Sequence, residues 1–453
     1  MSILGSLNRE QKEAVGLLQI GTFLEYFDLM LYVHMAVLLN EIFFPQTDSH
    51  TASLLAAFAF CSTYVFRPFG ALIFGWIGDN IGRKTTVIIT TMMMALSCTV
   101  MANLPTYAQI GTSAAWIVTI CRMIQGFSSM GEVIGAEVYV SEITKPPVGY
   151  AAVSFISVSC AAGTMVAVGI AALTTHFGFN WRIAFWMGAG IAVIGSVART
   201  RLRETPEFVD LKHKIAKLKE EKNPHNPEKA RKELSSAIKH LKVKTPMSTL
   251  VNCFFINCGW PLSFYLIYVY FNPILKNTYG YSSEDIILHN LVLTVVQLLT
   301  FIMWSVMTLY VYPLKILKIK LVVSSLLMGS LPFFLLTNPS LMYLFVLQLL
   351  LLVFALHNFP GQYIFLKKLP VYTRFTSGGF IYALGRGLTY IICSFGLVYV
   401  TELMGHWGSL FITIPFCLSF FLGLRHFEKL EGLRPDKPSK SLDSGSMAQR
   451  QAA

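Results

Sequence analysis

Long apolar runs recur along the whole chain and limit the folds that it can adopt. An α-helix rises about 1.5 Å per residue and needs about 20 apolar residues to cross the hydrocarbon core of a bilayer. Of the 453 residues, 54% are hydrophobic and only 13% are charged, and that charged fraction is about half of what a soluble domain carries. The runs predict an all-α integral membrane protein, and the length suits about twelve transmembrane helices in two six-helix bundles.

Polar segments divide the chain into five predicted parts. These are an N-terminal segment (1–14), a first bundle (15–200), a linker (201–246), a second bundle (247–426) and a disordered tail (427–453). The predicted spans are 15–39, 52–78, 85–104, 112–140, 150–174, 183–200, 248–272, 287–310, 319–337, 341–365, 376–400 and 408–426. Apolar residues at helical spacing in the linker predict amphipathic helices on the inner membrane surface, with a regulatory docking site as the alternative.

Basic residues concentrate in every second loop. The net charge is +12, and one predicted inner loop carries Lys315, Lys318 and Lys320. This positive-inside pattern predicts two cytoplasmic termini and a lipid bilayer, rather than nucleic acid, as the partner of the basic residues. The eight cysteines fall in apolar spans without a Cys-x-x-Cys pair or metal-ligand spacing, so we expect reduced thiols and neither a metal nor a cofactor.

A short polar hairpin lies between the second and third predicted spans. It reads Gly-Trp-Ile-Gly-Asp-Asn-Ile-Gly-Arg-Lys from Gly75 to Lys84, with Asp79 closing one helix and Arg83 opening the next. Its glycines remove side chains where helix ends must pack closely. The pattern G-x-x-x-D-x-x-G-R-K resembles the signature loop of the major facilitator superfamily. The alternative interpretation is a positive-inside turn that happens to contain an aspartate.

Further stretches are similar to the metabolite:proton symporter branch of that superfamily. They are Gly21–Tyr32, Arg67–Gly70, Arg122–Glu137, Trp181–Phe185 and Arg203–Phe208. The branch includes carriers of proline and betaine, α-ketoglutarate, citrate and shikimate. The resemblance implies a bacterial inner membrane protein, acting as a monomer, that carries a small molecule through a central cavity between its bundles. The second half departs from the pattern, because residues 310–320 contain neither an acid nor a glycine, so the resemblance does not identify the substrate.

Two carboxylates lie within the first predicted span. Glu25 and Asp28 are three residues apart and share a helix face, and Tyr32 lies one turn further along it. Carboxylates within a membrane cost several kcal/mol unless they are protonated or paired. We predict that they take up and release the coupling proton; a structural pair satisfied by the backbone or by a basic partner is the alternative.

Span four carries a polar stripe. Arg122, Gln125, Ser129 and Glu132 follow one helix face, which in the superfamily lines the cavity. The resemblance implies that Arg122 neighbours the proton site, and a cation that approaches or leaves a carboxylate changes its proton affinity. We therefore predict Glu25, Asp28, Arg122 and Glu132 as proton-coupling residues, although Arg122 could instead only pin span four to span one.

Other polar residues are candidates for gating and for substrate binding. Glu137 lies off the span-four stripe near the inner end, and we group it with the hairpin as gating residues: Arg67, Asp79, Arg83, Lys84 and Glu137. Arg386 lies in the middle of span eleven. It could donate two hydrogen bonds to a carboxylate of the ligand, or it could pair with a span-one carboxylate or with the backbone. The predicted substrate-binding residues are Tyr32, Gln125, Asn257, Tyr265, Gln297, His357, Asn358 and Arg386. Trp260, Tyr265 and Tyr268 could form an aromatic wall for a cationic or zwitterionic ligand.

The chain lacks the signatures of an enzyme. It contains no H-E-x-x-H, G-x-S-x-G or G-x-x-x-x-G-K-[ST], so neither covalent catalysis nor ATP as an energy source is expected. We predict a proton-coupled symporter that imports a small polar metabolite, an organic acid or zwitterion, by alternating access. The alternatives are an exporter, an importer of a larger polycarboxylate such as a siderophore, and a non-transporting membrane sensor.

Overall fold

The computed structural model describes residues 9–45, 49–81, 83–129, 133–176, 180–199, 245–337, 339–371 and 373–433. Within these residues every regular element is a helix. The first half contains α1 (Arg9–Phe43), α2 (Ser49–Val65), α3 (Arg67–Asn80), α4 (Arg83–Asn103), α5 (Tyr107–Ile110), α6 (Thr112–Ser128), α7 (Val133–Ile143), α8 (Val148–His176) and α9 (Arg182–Arg199). The predicted amphipathic helices of the linker lie outside the described residues.

The second half is also helical and has several breaks. It contains α10 (Met247–Asn257), α11 (Gly259–Phe264), a π-helix (Tyr265–Tyr270), α12 (Phe271–Tyr279), α13 (Ser283–Met307), α14 (Pro313–Leu336), α15 (Leu341–Val353), a 3-10 turn (Phe359–Gly361), α16 (Gln362–Lys367), α17 (Arg374–Ile391), a second π-helix (Ile392–Gly396), α18 (Leu397–Met404), a 3-10 turn (Gly405–Trp407) and α19 (Gly408–Leu430). Single π-turns within helices are often found at functional sites.

Several helical stretches of the described residues are long and apolar enough to cross a membrane. There are six: Ala57–Gly78, Val148–Thr174, Met247–Tyr279, Ser283–Met307, Pro313–Leu336 and Arg374–Leu430. The last of them contains two of the predicted spans. The predicted all-α class is therefore confirmed, whereas the number of twelve spans stays a prediction.

Several predicted spans are interrupted within the protein, among them spans two and ten. Span two ends as α2 at Val65, and α3 begins at Arg67 with Pro68 in its first turn, where a proline needs no N–H partner. Span ten is irregular between Val353 and the 3-10 turn at Phe359. Non-helical backbone is tolerated at membrane depth only where protein covers it or where it lines a cavity. The irregular part of span ten fits this rule, because residues 355–359 are buried within the protein.

The three lysines that were assigned to a predicted inner loop lie in a helix instead. Lys315, Lys318 and Lys320 belong to α14, which starts at Pro313 because a proline fits the first helical turn. Lys320 is buried, and its Nζ lies 5.2 Å from the centroid of the Phe359 ring. The predicted start of the C-terminal tail at residue 427 is also wrong, because α19 continues to Leu430.

Small residues and one ion pair join the two halves next to the hairpin. At the hairpin α3 ends at Asn80, one residue after the predicted Asp79, and α4 begins at Arg83 as predicted. The side chains of Asp79, Arg83 and Lys84 lie outside the described part. A Cβ on Gly75 would lie only 3.0 Å from Thr376 of α17. Beside this contact, the buried Arg374 pairs with Glu142 of α7 at 3.1 Å.

Close packing of two helices makes residue 126 intolerant of any side chain larger than that of glycine. A Cβ there would overlap the backbone carbonyl of Thr63, so α2 and α6 would have to separate. We expect Gly126→Ala to cost about 1–3 kcal/mol and to lower the thermal midpoint of the detergent-solubilised protein. Gly329→Ala is the control, because its Cβ would meet nothing within 4 Å. Equal midpoints for the two variants would contradict this packing.

Candidate functional site

A cavity between the two halves collects four of the predicted substrate-binding residues. It contains about 440 Å³ of space that protein atoms do not fill. Gln297, His357, Asn358 and Arg386 line it from the second half. The first half contributes Glu137 of α7 and also residues of α1 and α8. Because both halves form its wall, any relative movement of the halves changes the shape of this cavity.

Arg386 is held in the cavity wall by a tyrosine one helical turn earlier. Its guanidinium carbon lies 4.2 Å from the centroid of the Tyr382 ring, and the Tyr382 hydroxyl lies 3.1 Å from that of Tyr26 in α1. Stacking uses the face of the guanidinium, so the N–H groups along its edges stay available for hydrogen bonds in its plane. Tyr382 was not predicted, although its position four residues before Arg386 placed it on the same helix face.

A chain of hydrogen bonds links Glu137 to the second half. The Gln362 side-chain amide donates to Glu137 at 2.7 Å, and the Asn358 amide donates to the oxygen of Gln362 at 2.8 Å. The Asn358 amide also donates to Asn257 at 3.1 Å. Glu137 thus lies in the central cavity with an amide partner, and Asn257 supports the lining residue Asn358. Gln362 follows Asn358 by four residues, a helical spacing that could have identified it.

The geometry of His357 defines which of its nitrogens carries a proton. The backbone N–H of Phe359 donates to Nδ1 at 3.1 Å, so Nδ1 acts as an acceptor and the neutral ring carries its proton on Nε2. The ring packs against Trp260 at 4.6 Å and Phe301 at 5.0 Å between centroids. His357 therefore offers a hydrogen-bond donor in a largely aromatic part of the wall.

The predicted aromatic wall is only partly present. Trp260 lines the cavity, and the Tyr268 hydroxyl donates to the side-chain oxygen of Gln297 at 2.7 Å, which orients that amide. Tyr265 does not line the cavity; its ring contacts Phe60 at 5.9 Å between centroids. Since Tyr265 belongs to the first π-helix, its direction could not be read from a regular helical period.

The two span-one carboxylates line a different cavity, within the first half. It contains about 250 Å³ of space not filled by atoms. Six of its lining side chains carry oxygen: Glu25, Asp28, Thr90, Thr91, Ser128 and Ser129. The expectation that the span-four stripe faces the central cavity is therefore wrong, because Ser129 at the end of α6 faces this second cavity. Glu132 lies outside the described residues.

Arg122 connects α6 to α1 beside these carboxylates. One terminal nitrogen, Nη1, donates to the Gln125 side chain at 2.9 Å and to the backbone carbonyl of Leu29 at 3.5 Å. The guanidinium also lies over the Tyr32 ring at 4.2 Å. Tyr32 and Gln125 thus hold Arg122 and do not line the central cavity, contrary to their prediction as substrate-binding residues. Arg67, predicted as a gating residue, is buried at the start of α3 with its guanidinium over Tyr64.

Comparison with known proteins identifies the family. The sequence profile of the Major Facilitator Superfamily matches residues 18–394. The chain is 29% identical over 280 residues to the proline/betaine transporter of Salmonella typhimurium, a match that covers 60% of this chain and 54% of that protein. It is 27% identical over 369 residues to a glycine betaine/proline/ectoine/pipecolic acid transporter of Dickeya dadantii, covering 77% and 69%. The chain thus matches about half the length of the first of these relatives.

Solved structures agree on the fold. The proton:xylose symporter XylE superposes with a TM-score of 0.74 at 14% identity, covering 94% of this chain and 96% of that one. A human organic anion transporter superposes with a TM-score of 0.65 at 15% identity, covering 93% and 100%. The curated relatives match the branch that the residues of the first half predicted, and they are transporters rather than enzymes. The chain belongs to the Major Facilitator Superfamily and is a multi-pass membrane protein.

Proposed function

We propose that this protein is a proton-coupled symporter that imports a small polar metabolite by alternating access. The observation that carries the proposal is a central cavity, walled by both halves, that contains a buried cation, Arg386, and a carboxylate, Glu137. Such a site at the contact between two halves is the arrangement by which rocking of the halves exposes a bound solute to alternate sides of a membrane. Twelve spans, two six-helix bundles and cytoplasmic termini are part of this proposal.

The cavity favours a zwitterion as the solute. Arg386 is suited to a carboxylate, because a guanidinium edge donates two parallel hydrogen bonds to it. Glu137 and the aromatic surface of Trp260 are suited to an ammonium group, since aromatic faces and carboxylates both attract cations. Proline and glycine betaine, which the names of the relatives include, each combine a carboxylate with a positive nitrogen. Organic acids are the second class to test.

The proton site is proposed for the second cavity. Glu25 and Asp28 lie there in the first half, separate from the solute cavity. Arg122 reaches α1 at Leu29, the residue next to Asp28, and its Nε and Nη2 have no hydrogen-bond partner among the described residues. A guanidinium edge in this position is able to approach a carboxylate when α1 and α6 move, which would couple proton release to rocking.

The contacts beside the hairpin are proposed as the gate of one side. The Arg374–Glu142 pair and the packing of Gly75 on α17 join the halves there. Breaking a buried ion pair is costly while both charges stay buried, but water solvates them once that side opens. We propose that this gate is cytoplasmic and that it opens to release the solute inward.

Proton flux in proteoliposomes tests the function. A solute gradient should drive protons into vesicles that contain the purified protein, read by a trapped pH-sensitive dye. The first solutes to add are proline, glycine betaine and simple dicarboxylates, preselected by thermal stabilisation, because a bound ligand stabilises a protein by mass action. Solute flux that is independent of pH and moves no protons would contradict the coupling, whereas the absence of any solute flux would favour a sensor.

Gly188 of α9 offers a test of the Asp28 position without changing a charge. A Cβ at residue 188 would overlap the carboxylate oxygen Oδ1 of Asp28. We expect Gly188→Ala to displace this carboxylate and to lower proton-driven uptake by about tenfold or more, with less effect on solute exchange. Gly190→Ala, two residues along the same helix, is the matched control because its Cβ meets nothing within 4 Å. Equal uptake by the two variants would contradict the predicted role of Asp28.

A further inference from the structure

A cluster of hydrogen-bond donors is buried where the broken span two meets α17. We name this cluster, Arg67, Tyr64 and Tyr390, the junction cluster. All three side chains are almost completely buried, with exposures of 1%, 0% and 0%. Arg67 and Tyr64 belong to the first half and Tyr390 to the second, so the cluster spans the contact between the halves.

The three side chains are packed directly against one another. The guanidinium carbon of Arg67 lies 4.6 Å from the centroid of the Tyr64 ring, and the Tyr64 and Tyr390 rings lie 4.1 Å apart between centroids. The backbones are close as well, because a Cβ on Gly387 would lie 2.9 Å from the carbonyl oxygen of Tyr64. Movement of α17 relative to α2 must therefore change the surroundings of Arg67.

The donors of the junction cluster lack acceptors. Nε and Nη2 of Arg67 and the hydroxyl groups of Tyr64 and Tyr390 have no hydrogen-bond partner among the described residues. Leaving such groups buried and unpaired is unfavourable, and the cost is larger for a charged group. A small anion that joins the cluster would remove this cost, because it would bring the missing acceptors.

The chemistry of the donors defines the kind of ligand. Nε–H and Nη2–H form one edge of a guanidinium, and this edge donates two parallel hydrogen bonds to the two oxygens of a carboxylate. The guanidinium is permanently charged and has no acceptor atom, so it favours an anion over a cation as the occupant. The tyrosine hydroxyl groups add donors from both halves, which makes the occupant a link between them.

We propose that the junction cluster, none of whose residues lines the central cavity, is a second anion site that binds a small carboxylate or a halide as α17 moves away from the end of α2. Either anion would be a free ion from solution. The proposal does not depend on the proposed transport activity, because binding is measured without transport.

The test is anion binding to the purified full chain in detergent. Formate and chloride are titrated separately against methanesulfonate at constant ionic strength, and the thermal midpoint is measured. The wild type should be stabilised saturably. Arg67→Lys, which keeps the charge but loses the guanidinium edge, should raise the half-saturating concentration about tenfold or more, and Tyr390→Phe, which keeps the ring packing, should raise it by a smaller factor.

Two control variants separate this site from other anion effects. Tyr363→Phe removes a hydroxyl that donates to the Thr144 carbonyl, outside the junction cluster, and should titrate as the wild type does. Arg425→Gln should also titrate as the wild type does, since the exposed Arg425 lies over Phe421 near the end of α19, away from the junction cluster. Saturation by formate alone assigns a carboxylate site, and saturation by chloride assigns a halide site. An unsaturable wild type, or curves for Arg67→Lys and Tyr390→Phe that both match the wild-type curve, would overturn the proposal.

Discussion

Replacing Arg386 with glutamine is expected to weaken binding of the transported solute by at least about 30-fold. Truncating one partner of a buried, hydrogen-bonded charge pair costs about 2 kcal/mol or more, and each 1.4 kcal/mol is tenfold in affinity. Glutamine keeps a polar group of moderate length but loses the charge and the paired donors. The measurement is the dissociation constant of the solute by calorimetry or thermal shift on purified protein.

Lysine and a second arginine give matched comparisons for this prediction. Arg386→Lys retains the charge without the planar edge and should bind with intermediate affinity, because an ammonium cannot donate bidentately. Arg425 also lies over an aromatic ring, Phe421 at 5.6 Å, but it is exposed near the end of α19. Arg425→Gln should bind as tightly as the wild type. Unchanged affinity in a folded Arg386→Gln protein would remove Arg386 from the solute site.

Replacing Asp28 with asparagine is expected to abolish accumulation of the solute by a proton gradient. Asparagine has the size of aspartate but neither binds nor releases a proton near neutral pH. Rocking of the halves and solute binding should persist, so exchange of labelled for unlabelled solute is expected to stay within about threefold of the wild-type rate. Proteoliposomes with and without an imposed pH gradient measure both activities on one preparation.

Two carboxylates of α1 serve as comparisons for Asp28. Glu25→Gln tests the other member of the pair in the second cavity, and whichever variant loses more proton-driven uptake identifies the main proton carrier. Glu41 is exposed near the C-terminal end of the same helix, 4.0 Å from Lys276, and Glu41→Gln should behave as the wild type. Proton-driven accumulation retained by both Asp28→Asn and Glu25→Gln would refute the coupling role of the second cavity.

The helical class and the hairpin could be predicted because they depend on short segments. Hydrophobicity over about 20 residues identifies a span, and the polar stretch from Gly75 to Lys84 marks helix ends by its own composition. The lysines of α14 were misassigned for the same reason, because an analysis of short segments assigns charged residues to loops. The proline at residue 313 favours a helix start there, and the fold then buries Lys320 between helices.

The candidate site residues could be predicted because they are polar groups in apolar spans. The sequence did not show which of them share a site. Glu25, Asp28 and Glu137 are all span carboxylates by sequence, yet the first two line the cavity of the first half and Glu137 lines the central one. Tyr32 and Gln125 were assigned to the solute, and they instead hold Arg122. Helical period specifies which residues share a face, but not which neighbour that face meets.

The sequence by itself determined that this chain is a helical membrane protein of its superfamily, with ionisable groups at membrane depth. Only the tertiary structure decided which of those groups share a cavity, where spans two and ten break, and that donors of both halves meet at Arg67. The physical reason is the range of the interactions. Burial and helix propensity act within a turn or a span, whereas the pairing of Glu137 with Gln362, 225 residues apart, exists only when the helices pack.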